Sequence, residues 1–360
     1  MINLFEPSVG RAEISSLTKA LNSHWLGKGA RVAEFEAVWA AHVGVPVENM
    51  VSTNSCTSAL FEAVRLAGIG TGDEVIIPTI HFVGAAQAVI AAGGTPVFCD
   101  VDKWTMSATT ETIHKRYSMR TKAVILNHYG GNLCQIERGE FPDKIIWIDD
   151  MACAQGAQVI EGSDFSTWSF DPMKIVVCGN GGALYCKDPD ETKQARQDFT
   201  LGIDSESGFT SENERWWEYK VTNPGRSWNV LIDMEAAIGL EQLKKIDGFI
   251  ERRREISCHY ISEFQSLSQS IDPSFGPENY YFFWMFTKWR DELARHLRAH
   301  DIYTTFKYHP LHLAYNTGDS LPNAEWAAEH ALLLPLHNNL TDADVEYVCE
   351  KVKEFFENGE

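Results

Sequence analysis

No stretch of the 360 residues approaches the roughly 20 consecutive apolar residues of a membrane-spanning helix, so no membrane partner is expected. The opening MINLFEPSVGRAEI carries acids and no apolar core, unlike a secretory leader, and a cytoplasmic protein is expected. Positive charge is in short supply: 31 Lys and Arg stand against 50 Asp and Glu, a net charge of −19. Such a chain repels nucleic acid, which is therefore excluded as a partner. A small phosphorylated ligand stays possible, because backbone N–H groups bind phosphate whatever the overall sign. CxxC pairs are absent, and the eight cysteines are scattered from Cys56 to Cys349. They read as reduced thiols, and no metal site is expected. Internal repeats and low-complexity linkers are also missing.

What is present is enough apolar residue, 44% of the chain, to bury one large core and a smaller one. Residues 10–42 show apolar positions three and four apart and predict helices. From ENMVST onward, short apolar runs alternate with helical patterns. The runs VIIP, PVFCDV, TKAVILN, KIIWIDD, FSTWSF and GGALYC predict strands, several of them covered on both faces. This alternation predicts an α/β domain with a mostly parallel sheet over residues 1–240. A smaller C-terminal α+β domain is expected over 241–360, bridged by one long amphipathic helix near 235–265. The run Arg252-Arg253-Arg254 reads as its solvated face. The polar loop 203–227, with two tryptophans, is a candidate for reaching a partner subunit; a surface loop is equally consistent.

Four stretches at predicted strand ends carry chemistry. Asn54-Ser55-Cys56-Thr57-Ser58 stands at a strand-to-helix junction, where small residues let backbone N–H groups meet an anion; a plain helix cap reads equally well. Phe82, just past a strand end, could cover a planar ring or simply fill the core. Asp149 and Asp150 close an apolar strand, so at least one is a buried carboxylate that needs a partner or a strong hydrogen bond. Lys174, five residues after Ser169, precedes another apolar run in FSTWSFDPMKIVVCGNGGALYC. A buried lysine loses its proton readily and attacks carbonyls; a snorkelling lysine is the competing reading. Together the four fit a pyridoxal 5'-phosphate enzyme, which needs a phosphate cradle, a ring-covering aromatic, a carboxylate for the pyridine nitrogen and a lysine.

The same residues resemble a known family. HWLGKGARVAEFEAVWAAHVG, NSCTSAL, IIPTIHFVGAAQAV, NHYGG, IDDMACAQGA, the Lys174 segment, YHPLHLAY and LLLPLHNNLTDADVEYV are similar to the motifs of the DegT/DnrJ/EryC1/StrS sugar aminotransferases. These are fold-type-I pyridoxal phosphate enzymes. The resemblance implies that Lys174 carries the cofactor and moves protons, and that Asp150 faces its ring nitrogen. It places Thr57, Ser58 and Ser169 at the phosphate and Phe82 on the ring. It implies Asn229 as the residue that reaches the partner subunit's phosphate, and a homodimer with shared sites. Tyr308, His309 and His312 are substrate-side candidates, with a polar surface loop as the alternative for the histidines.

Four positions depart from the pattern. Cys153 stands where Gln or His usually meets the cofactor's phenolic oxygen, His81 where Thr is common, and Asn180 where Glu is usual. The Asn-x-Arg motif is blurred at Asn229, and the segment between Gly131 and Trp147 suggests a lost or reduced crossover helix. The implied activity is transfer of an amino group from L-glutamate or glutamine to a keto-sugar. A nucleotide-linked keto-deoxyhexose is the expected acceptor, on the way to an amino sugar of a surface polysaccharide or natural product. A cyclitol ketone, a keto-sugar without nucleotide, and a non-catalytic cofactor-binding relative are the alternatives.

Overall fold

The computed structural model describes residues 1–204, 215, 217–267 and 280–357. Residues 205–214 and 216 of the loop expected at 203–227 lie outside the described residues. Seven strands form the main sheet: β1 (Met50–Thr53), β2 (Glu74–Pro78), β3 (Thr95–Cys99), β4 (Thr121–Asn127), β5 (Ile146–Asp150), β6 (Phe165–Ser169) and β7 (Gly182–Cys186). Their spatial order is β1-β7-β6-β5-β4-β2-β3, and β7 alone runs against the rest. The near-continuous burial of β2, β4, β5 and β6 fits a parallel sheet covered on both faces.

This topology creates the site's location. The parallel strands all end at one edge of the sheet. Thr53, Pro78, Asn127, Asp150 and Ser169 therefore lead into neighbouring loops, and β7 starts at the same edge with Gly182. Between β4 and β5 the chain makes only short 3₁₀ turns, Tyr129–Gly131 and Arg138–Glu140, so no α-helix crosses there.

A second, antiparallel sheet pairs β8 (Phe283–Phe286) with β9 (Ala331–Leu334). Helices Ile246–Phe264, Arg290–Ala299 and Asp342–Glu357 surround it, around a core that includes Tyr260, Leu293 and Val348. Trp284 and Phe286 instead join the main core, so the two layers are continuous. Among the described residues no helix is long and apolar enough to cross a membrane.

Two expectations are corrected. The helical pattern near 235–265 is two helices, Asp233–Leu243 and Ile246–Phe264, separated at Lys244-Lys245. The break falls where the chain changes packing partner. The first helix lies on Arg11–Asn22 and Ala30–His42, and the second on Asp342–Glu357. Lys245 at the junction pairs with buried Glu13 of the helix Arg11–Asn22. The arginine run is not uniformly solvated either, because Arg253 is only 1% exposed. Its guanidinium donates to the Leu336 carbonyl and to Asn338 Oδ1, each at 2.9 Å. Burial pulls it down to about 10, so it stays charged at neutral pH.

Arg253→Met therefore strands two acceptors inside the smaller layer and is expected to cost about 1–3 kcal/mol in urea unfolding. Arg252→Met, which removes a surface pair with the exposed Asp342, is expected to change stability by less than about 1 kcal/mol.

Candidate active site

The helix Cys56–Leu66 begins directly beyond β1. Ser55 caps it: its Oγ accepts from the Ser58 N–H at 3.1 Å. The cap reading is thus realised, and the same helix start forms one wall of a cavity of about 180 Å³, where its free N–H groups could meet an anion. Gly182 makes this possible. A Cβ there would stand 2.3 Å from the Ser55 carbonyl carbon and 2.5 Å from the Cys56 nitrogen. Only glycine lets β7 pass this close to the helix start. Thr57, Ser169 and Asn180 line the same cavity.

The two acids of β5 separate because neighbouring strand residues face opposite sides. Asp149 is fully buried behind the sheet edge. It receives Arg138 Nη2 on both oxygens (2.8 and 2.9 Å) and lies 3.0 Å from His128 Nε2. Burial works against its charge, but these two partners hold its carboxyl below the usual carboxylate range. Asp150 turns into the cavity. Its Oδ1 accepts from the Ala152 N–H at 2.9 Å and has the Cys56 thiol at 3.9 Å, while His81 Nε2 lies 3.7 Å from Oδ2.

Lys174 projects from the loop between β6 and β7. Gln155 clamps that loop, donating to the carbonyls of Ser169 (2.8 Å) and Val176 (3.1 Å) and accepting from the Val176 N–H (2.8 Å). The Lys174 Nζ sits 4.8 Å from the centre of the Tyr281 ring, and the residue is 8% exposed. Burial disfavours its ammonium form. Tyr281, Cys153 and Tyr308 would hold it far above its ordinary value if they were ionised. Burial pushes those three groups up, Tyr281 to about 12, so near neutral pH they are neutral and desolvation governs the lysine.

Of the residues singled out in the sequence, Thr57, Phe82, Asp150, Cys153, Ser169, Lys174 and Tyr308 meet on this one cavity. Phe82 is 45% exposed, so it is a wall residue and not core. Four others do not line it. The Ser58 hydroxyl is spent on Asn54 Oδ1 at 2.7 Å. Asn229 lies beside the β1 end, its carbonyl accepting from Thr53 Oγ1 at 2.6 Å. His309 is exposed on the outer surface. His312 is buried between Thr79 Oγ1 (2.7 Å) and Glu325 Oε1 (3.2 Å), because Pro310 starts the short helix Leu311–Ala314 and turns it inward. Within this chain the substrate-side candidates reduce to Tyr308. The sequence reading passed over Tyr281, Lys307, Cys56 and Asn127, which also line the cavity, and Gln155, which braces it. Gln155 stood in the quoted IDDMACAQGA, Cys56 in NSCTSAL and Asn127 in NHYGG, none with a role of its own; Tyr281 lies in an apolar run and Lys307 just before YHPLHLAY.

The residues present fit pyridoxal 5'-phosphate. Among the described residues the buried Lys174 has no carboxylate at ion-pair distance, and Asp150 has only the distant His81, although both face one cavity. A polar ligand with an electrophilic carbon, a basic ring nitrogen and a phosphate completes that set. A buried lysine and a carboxylate facing one cavity at the strand ends are the residues that a pyridoxal phosphate-dependent aminotransferase requires. Comparison with known proteins agrees. The profile of the DegT/DnrJ/EryC1/StrS aminotransferase family matches residues 7–353, and the chain belongs to that family. It is 38% identical to a dTDP-4-dehydro-2,3,6-trideoxy-D-glucose 4-aminotransferase of Saccharopolyspora spinosa, over 99% of this chain and 97% of the relative. It is 31% identical to the spore coat polysaccharide biosynthesis protein SpsC of Bacillus subtilis, over 98% and 97%. Among solved structures, the aminotransferase TlmJ of Streptoalloteichus hindustanus superposes with a TM-score of 0.90 at 40% identity, covering all of both chains.

Gly182→Ala is expected to push the helix start off β7 and weaken pyridoxal phosphate retention at least about tenfold in absorbance titration. Gly248→Ala, where an added Cβ meets nothing within 4 Å, should leave retention unchanged.

Proposed function

We propose that this aminotransferase moves an amino group from L-glutamate or glutamine to a nucleotide-linked keto-deoxyhexose, in the making of an amino sugar for a surface polysaccharide or natural product. The observation that carries the assignment of roles is the pair of buried, mutually unpaired groups, Lys174 and Asp150, on one cavity. When bound, pyridoxal phosphate supplies the carbon that exchanges its amino group and a ring that draws electrons from it. The N–H groups opening helix Cys56–Leu66, with the hydroxyls of Thr57 and Ser169, hold the phosphate. Asp150 keeps a proton on the ring nitrogen, and Phe82 covers one face of the ring. Lys174, buried on the cavity, takes and returns the proton at the reacting carbon. Cys153 brings a protonated thiol where related enzymes carry a stronger hydrogen-bonding group, since burial pushes that thiol up. Tyr308 meets Phe82 edge-on, ring centroids 6.0 Å apart, and lines the same cavity.

The nucleotide-linked acceptor is supported by the relatives' own names, which include a dTDP-sugar 4-aminotransferase and a GDP-perosamine synthase of Caulobacter vibrioides at 28% identity. The reading includes a division into domains near residue 240, a cytoplasmic site of action and a homodimer. The exposed apolar residues Phe82, Val83 and Met173 beside the cavity support a second copy packing there. In this reading Asn229, whose carbonyl accepts from Thr53 Oγ1 beside the end of β1, reaches across such an interface.

The protein loaded with cofactor is expected to show a visible absorption band that L-glutamate bleaches, and Lys174→Ala to lack that band. A band that neither glutamate nor glutamine moves would instead favour a non-catalytic binding role. With the pyridoxamine form, a dTDP-linked 4-keto-deoxyhexose is expected to restore the band and the free keto-sugar to do so far more slowly.

A further inference from the structure

His81 is only 1% exposed and comes directly after the end of β2. Each ring nitrogen faces an oxygen. Nδ1 lies 2.9 Å from the Phe82 carbonyl, which can only accept, and Nε2 lies 3.7 Å from Asp150 Oδ2 with no hydrogen-bond partner among the described residues. A neutral imidazole carries one N–H and one lone pair. Whichever nitrogen holds the proton, the neutral ring therefore sets a lone pair against an oxygen, and with the proton on Nδ1 that oxygen belongs to the Asp150 carboxylate. Only the doubly protonated ring can donate to both. The 3.7 Å gap is an ion-pair distance, one small side-chain adjustment longer than a hydrogen bond.

We propose that His81 is a positioning residue that works through Asp150: doubly protonated, it ties Oδ2 to the Phe82 backbone, and on losing its Nε2 proton it frees the carboxylate. The inference rests on the reading of Asp150 as the partner of the ring nitrogen. The groups facing the imidazole are Asp150 at the end of β5, the Phe82 carbonyl and His128 after β4. Around Asp150 itself stand Cys56, Cys153 and Tyr308, all held protonated by burial. Burial and His128 disfavour the imidazolium, whereas Asp150 and the Phe82 carbonyl favour it, and the balance falls below the ordinary value of 6.5. The sign follows: the imidazolium–carboxylate contact exists on the acid side and is lost as pH rises toward neutrality. At acid pH the extra positive charge opposes protonation of the cofactor. At neutral pH the imidazole no longer sets a positive charge against Oδ2. The side chain directly before the ring-covering Phe82 thereby sets how strongly the ring is polarised at a given pH.

The test is a pH titration of the visible spectrum of the cofactor-loaded protein, in wild type, His81→Asn and His81→Thr. Asn keeps a neutral donor toward Oδ2, and Thr removes the imidazole. Wild type is expected to show an acid-side spectral step that both variants lack, with the variants merging into the wild-type curve above about pH 7. If all three share one curve while glutamate still bleaches the wild-type band, the His81 inference is overturned and the aminotransferase roles stand. If the wild type has no band at all, both fall. Should a variant not fold, nitrogen-15 NMR of histidine-labelled wild type decides alone. A buried imidazole titrating below 6.5 together with the spectral step supports the inference, and one that stays neutral throughout sinks it.

Discussion

The amine of Lys174 and the carboxylate of Asp150 are both withdrawn from bulk water on one cavity, with no ion pair between them. Burying two ionisable groups in this way costs free energy unless partners meet them. Much of the surrounding structure fixes these two groups in place. Gln155 braces the Lys174 loop through three hydrogen bonds, and the Asp149–Arg138–His128 cluster anchors the end of the strand that carries Asp150. A bound cofactor supplies the missing partners.

The sheet topology converts this local arrangement into a binding site. Five strand ends deliver residues separated by more than a hundred positions in the chain to one edge. β7 runs against the others, so its first residue arrives at that edge as well, and it is a glycine that lets the helix start close over the cavity. Lys174 and Ser169 stand on the turn that reverses the chain between β6 and β7. Both residues are therefore held by the same few backbone contacts.

Much of this was legible in the sequence, and the limits have physical causes. The strands were readable because covered parallel strands are apolar throughout, and the site motifs were readable because they sit at the ends of those runs. The helix break at Lys244-Lys245 was not, since the amphipathic pattern continues across it and only the change of packing partner interrupts it. Arg253 looked like its neighbours Arg252 and Arg254, and its burial depends on carbonyls more than eighty residues away. His312 looked as available as Tyr308 in YHPLHLAY, yet a turn at Pro310 sends one into the core and leaves the other on the cavity.

The sequence by itself determined the alternation of strands and helices, the residue types the chemistry needs and their positions at strand ends, because these follow from local pattern and chain order. Tertiary structure alone decided which of two adjacent aspartates enters the cavity, which histidines stay outside it, and that His81 stands against Asp150. Those outcomes depend on which face of a strand is covered and on contacts between segments far apart in the chain. A one-dimensional pattern does not contain that information.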